Sequence, residues 1–92
     1  MKIVYFDKLV SSADKLCADY VRCAASNYAF AHGVASGLLM CNALKQSEFD
    51  AYVVWLNDAR LASLDRNGPR GADHRAKADA SRSAFVSLCA LP

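Results

Sequence analysis

From Cys23 to Leu44 the chain carries no formally charged residue. A stretch of that length has two uses. It crosses a bilayer, which takes about 20 apolar residues, or it lies within a helical core. Its content points to the core. Asn27, His32 and Asn42 are costly in hydrocarbon, and Ala dominates where Leu and Ile would be expected. Gly33 and Gly37 form a G-x-x-x-G spacing, which lets two helix backbones approach closely. In a soluble core the same spacing serves close helix packing.

The remaining composition fits one small domain spanning residues 1–92. With 54% hydrophobic and 22% charged residues, the chain is neither disordered nor collagen-like. Eleven Lys/Arg against nine Asp/Glu leave a net charge of +2, too balanced for a histone-like chain or an acidic DNA mimic. A secreted disulfide scaffold would hold more than the four cysteines found here and fewer apolar residues. The start, Met1-Lys2-Ile3-Val4-Tyr5-Phe6-Asp7, has one positive charge, a very short apolar run and no small-residue cleavage site. These features predict a cytoplasmic chain with reduced thiols.

Periodicity and punctuation predict a mostly α domain of three to four helices. Residues 2–6 read as a short β-strand, or as the first turn of a helix. Ser11-x-x-Asp14 offers a helix start, with a hydroxyl and then a carboxylate near the exposed N–H groups. Leu16, Tyr20, Ala24 and Tyr28 then continue one apolar face, with Cys17 and Val21 beside them. Run unbroken from Ser12 to Leu44, such a helix would be about 50 Å long. A domain this size is only roughly 30 Å across, so a break is expected near His32-Gly33. The second piece, Val34 to Leu44, should be the most buried element. Ser47-x-x-Asp50 restarts a helix with Phe49, Tyr52, Val53, Leu56, Ala59 and Leu64 on its stripe and Trp55 at the edge. Arg66-Asn67-Gly68-Pro69 stops it. Asp73 would cap a last helix over 74–90, whose polar first half should project into solvent.

No specific motif writes chemistry into this chain. The basic stretch is the main candidate: Arg66, Arg70, His74, Arg75, Lys77 and Arg82, against Asp73 and Asp79. Arginine forks suit phosphate and carboxylate partners. The stretch reads as a partner-contact patch or as a solvated face, because Asp73–Lys77, Arg75–Asp79 and Asp79–Arg82 can pair internally at about 0.2–0.5 kcal/mol each. Trp55 reads as a second-layer core contact or an interface anchor. Cys17-x5-Cys23 is not a zinc spacing, and the cysteines read as buried inert thiols. His32 reads as a core or capping histidine, and His74 as exposed. A Cys41–His32 site with some Asp has no more support than many other sets. Neither a catalytic set, a cofactor nor a metal is expected. A helix-turn-helix regulator could use only the last helix, because Glu48, Asp50 and Asp58 would repel phosphate from the preceding one.

The length, the helical units with capped starts at Ser12 and Ser47, and the segment Asp65-Arg66-Asn67-Gly68-Pro69-Arg70-Gly71-Ala72-Asp73-His74-Arg75 together resemble small phage-encoded inhibitors of bacterial defence. The chain is similar in particular to anti-CRISPR proteins acting on type I, including type I-F, surveillance complexes. That family is defined by activity, so no functional residue carries over by position. The resemblance implies a stoichiometric inhibitor in the cytoplasm of a bacterial host, active in immune evasion. It would bind a multi-subunit Cas protein–guide RNA complex and block target-DNA loading or hybridisation. The basic loop would meet acidic protein patches or the guide-RNA backbone through Arg66, Arg70, His74, Arg75, Lys77 and Arg82, with Trp55 a hydrophobic contact. The alternative is a small DNA-binding phage regulator using the same loop and the last helix.

Overall fold

In the computed structural model, the described residues are 6–18, 24–64 and 68–90, with side chains described at 6–14, 28–64 and 68–89. They form four helices: α1 (Phe6–Ala18), α2 (Ala24–Met40), α3 (Gln46–Leu64) and α4 (Gly71–Ala90), and no strand. The mostly α single-domain reading holds. The radius of gyration is 12.7 Å, close to the roughly 12 Å expected at this length.

Helix α1 starts earlier than its serines suggested. Phe6, Leu9, Val10 and Ala13 stand at i, i+3, i+4 and i+7. Leu9 and Ala13 are fully buried, and Phe6 and Val10 pack against them. Phe6 lies in this helix, where a strand was one reading. Residues 2–5 of that reading lie outside the described residues. Ser11 and Ser12 sit within α1, not at its cap.

The expected break at His32-Gly33 is absent, because α2 runs straight through both glycines. Each glycine costs about 1 kcal/mol relative to Ala. That is too little to stop a helix flanked by alanines and held by buried Ala31, Ala35 and Leu38. Residues 19–23, which the same apolar face spans in the sequence, lie outside the described residues.

Helix α2 ends before the predicted Lys45-Gln46. Asn42 adopts φ 64°. The Ala43 N–H donates to the Leu38 carbonyl (2.8 Å), and that of Asn42 donates to Leu39 (3.1 Å). This is a Schellman cap with Asn in the left-handed position. The N-cap of helix α3 is Lys45, two residues before Ser47. Glu48 accepts from the Lys45 backbone N–H at 2.8 Å, while the Lys45 carbonyl takes the first helical bond from Phe49. That is the carboxylate half of a capping box.

Helix α3, not α2, carries most of the bulk of the core. Tyr52, Trp55, Leu56 and Ala59 are buried along one stripe, whereas α2 leaves Phe30 and Met40 in solvent. Leu64, expected on the α3 stripe, is exposed. Phe85 of α4 joins three helices. Its ring lies 5.1 Å from Tyr52, 5.8 Å from Trp55 and 6.0 Å from Phe6. The Tyr52 hydroxyl donates to the Leu9 carbonyl at 2.7 Å, fastening α3 to α1.

A second aromatic group fastens α2 to α3. His32 stacks on Tyr28 (5.9 Å) and meets the Phe49 edge (5.7 Å), with Nδ1 at 3.3 Å from Ser36 Oγ. Tyr28 donates to Asn57 Oδ1 at 3.1 Å. His32 is half-buried at this contact rather than part of the buried core.

Helix α4 lies along α3 in the most extensive pairing of the fold. Its polar first half does not project. Gly71, Ala78 and Phe85 are buried at seven-residue intervals, and His74, Ser81 and Leu88 are half-buried between them. This is a two-per-seven seam, as in coiled coils. Ser81 donates to the Asp58 carboxylate across it. Small residues in the first half let α4 approach α3 without adding apolar bulk.

A candidate anion-binding face at the start of α4

The turn Gly68–Arg70 leads into α4. The Gly71 N–H donates to the Gly68 carbonyl (3.2 Å), and the His74 N–H donates to that of Arg70 (3.0 Å). The second bond opens the helix, which makes Arg70 its N-cap residue and moves Asp73 from the predicted cap into the first turn. Gly71 is buried. Arg70, beside it, is exposed.

Arg70, Asp73, His74, Ala76 and Lys77 line a cleft of about 410 Å³. Arg70, His74 and Lys77 follow i, i+4, i+7 spacing and share one flank of α4. The helix N-terminus adds roughly half a positive charge at the same place. Asp73 partly offsets it. Arg70 and Lys77 are exposed and enter no ion pair among the described residues. His74 is half-buried on the seam rather than free in a loop.

The other members of the predicted patch part from this cleft. Arg75 is exposed. It lies about 160° around the helix from Lys77. Arg82 is paired within the fold. Its Nε and Nη2 donate to the two Asp14 carboxylate oxygens at 2.9 and 3.2 Å, and its guanidinium lies 5.8 Å from the Trp55 ring centroid. The hydrogen bond and charge of Asp14 raise the Arg82 pKa further. Of the three predicted internal pairings, none forms among the described residues; Arg82 pairs with α1 instead. Trp55 is 2% exposed and sits among Tyr52 and Phe85, which removes it as an interface anchor. Arg66 lies outside the described residues.

The thiols divide. Cys89 is buried, and burial, with the Glu48 charge, pushes its pKa up to about 11. Cys41 is exposed at the end of α2, contrary to the buried-thiol expectation, and its Sγ lies 3.6 Å from the Leu38 carbonyl. Cys17 and Cys23 lie outside the described side chains. Among the described residues no group of three His, Cys, Asp or Glu gathers to hold a metal, and no helix is long and apolar enough to cross a membrane.

The seam that positions the cleft was hidden in the sequence, because Gly71, His74, Ala78 and Ser81 carry no apolar signal. The usable clue was their seven-residue spacing leading to Phe85. No family model, curated protein or solved structure matches the chain.

Proposed function

We propose that this chain is a non-catalytic inhibitor that binds an anionic surface of a host CRISPR-Cas ribonucleoprotein complex and blocks target-DNA loading or hybridisation. One observation supports the binding mode: the cleft at the start of α4 gathers Arg70, His74 and Lys77 beside a helix N-terminus, with Arg70 and Lys77 in no ion pair among the described residues. Such a surface suits phosphate or carboxylate groups. The guide-RNA backbone is the preferred contact. The choice of a CRISPR complex as partner rests on the sequence resemblance.

The test uses a purified type I surveillance complex loaded with guide RNA. The wild-type chain should co-elute with it and lower its binding of target duplex. Arg70→Glu together with Lys77→Glu should abolish co-elution while leaving the helical circular-dichroism signal unchanged. Co-elution undiminished by both changes would remove the cleft as the contact. Failure to co-elute, with direct binding of free duplex that falls steeply with salt, would give the chain to the regulator reading.

A further inference from the structure

One face of α2 is left open by the described fold. Phe30 is 53% exposed and Met40 84% exposed. Between them, Gly33, Val34, Gly37 and Leu38 line an apolar groove of about 370 Å³ with Lys8 of α1. The two glycines serve no close approach within the described fold. A Cβ added to either would meet nothing within 4 Å, and neither has positive φ.

We propose that this groove is the interface of an antiparallel homodimer in which α2 crosses α2 of a second copy at Gly33 and Gly37. The inference is independent of the function proposed above. Its first support is self-complementarity. Phe30 and Met40 lie equally far in sequence from Ala35. A two-fold axis at that level sets Gly33 against Gly37 of the second copy, and Phe30 against its Met40, a favourable sulfur–ring pairing.

Charge is the second support. Helix α2 carries no charged side chain, so its self-pairing sets no like charges together. Lys8 lies 5.4 Å from the Phe30 ring, at the same end of the groove. The two-fold carries it toward the C-terminal end of the second α2, whose last turn has no basic residue. A cation there complements the helix dipole. The two Lys8 side chains fall at opposite ends, about 15 Å apart along the helix, beyond the roughly 8 Å screening length.

Area sets the strength. Helix α2 is about 25 Å long, and two neighbouring helices present a face about 20 Å wide, or on the order of 500 Å² per copy. That is the low end for specific association, so the dimer should be reversible and form at roughly micromolar concentration.

Sedimentation equilibrium of the full chain under reducing conditions tests this, from about 1 μM to 1 mM. The average mass should rise with concentration from the 10.0 kDa monomer toward twice that value. Gly37→Leu should weaken dimerisation roughly tenfold or more, with the helical signal and the unfolding midpoint of the dilute protein retained. Met40→Glu, at an exposed site, should do the same should Gly37→Leu fail to fold. A monomer at every concentration, or a dimer indifferent to both changes, overturns the proposal. So does a monomer that sediments with phosphatidylcholine vesicles, which would assign the face to lipid. Under oxidation, a Cys41–Cys41 crosslink would also overturn it, because the antiparallel register holds those residues about 18 Å apart along the axis.

Discussion

Replacing Tyr52 with Phe should destabilise the protein at neutral pH and stabilise it relative to wild type in strong alkali. The Tyr52 hydroxyl is fully buried and donates to the Leu9 carbonyl at 2.7 Å. Removing it leaves that carbonyl with its own α1 helical bond, so the loss is that of one net hydrogen bond, about 1 kcal/mol. Burial, aided by the Asp14 charge, raises the Tyr52 pKa well above the usual tyrosine value of about 10. A raised folded-state pKa means that the unfolded chain releases its proton first. The stabilisation from a neutral Tyr52 is therefore complete below pH 10 and declines as pH rises toward the folded value, at up to about 1.4 kcal/mol per pH unit. Phe has no such proton. The two stability curves should cross near pH 11, where the linkage loss equals about 1 kcal/mol. Urea unfolding of both proteins from pH 7 to 11.5, followed by circular dichroism, reads this directly. A constant difference across that range would refute the reasoning, because it would mean that Tyr52 ionises equally easily folded and unfolded.

Other perturbations probe other parts of the fold. Ser63→Ala should stabilise by about 1 kcal/mol, since the Ser63 hydroxyl is fully buried with no hydrogen-bond partner among the described residues; a lower denaturation midpoint would contradict this. Asn42→Gly should be neutral or slightly stabilising and Asn42→Val should cost about 1 kcal/mol or more, because φ at this position is 64°; the paired thermal midpoints separate them. Cys41 should alkylate well before Cys89 at pH 8, as mapped by mass spectrometry, because Cys41 is exposed while Cys89 is buried with its pKa pushed up to about 11. Truncating Phe85 to Ala should cost about 3–5 kcal/mol, since its ring contacts Phe6, Tyr52 and Trp55 together; a change under 1 kcal/mol in urea titration would deny it that central place.

The helical class of this protein was determined by local features of the sequence. Phe49, Tyr52, Leu56 and Ala59 recur at helical spacing, and Gly68-Pro69 separates two helices, so α3 and the start of α4 were legible to within a few residues. Boundaries set by less obvious signals were not. Lys45 and Glu48, rather than Ser47, open α3, and Asn42 rather than Lys45 closes off α2. A single asparagine does not announce a left-handed conformation.

The tertiary structure alone decided which faces meet. Trp55 sat at the edge of its own helix's stripe, yet Phe85 and Tyr52 close over it, and its burial depends on residues distant in the chain. Arg82 looked available to a partner until the fold set it against Asp14, 68 positions away. The docked seam of α4 is built from small and polar residues. Their contribution is the close approach they permit, and this has no value until a second helix stands opposite. Periodicity reports the tendency of one segment to bury a face, and it already sets Arg70 and Lys77 on one flank of α4 with Arg75 on the other; the choice of partner face is a property of the whole packed chain, and it settled that the Arg70–Lys77 flank borders a cleft.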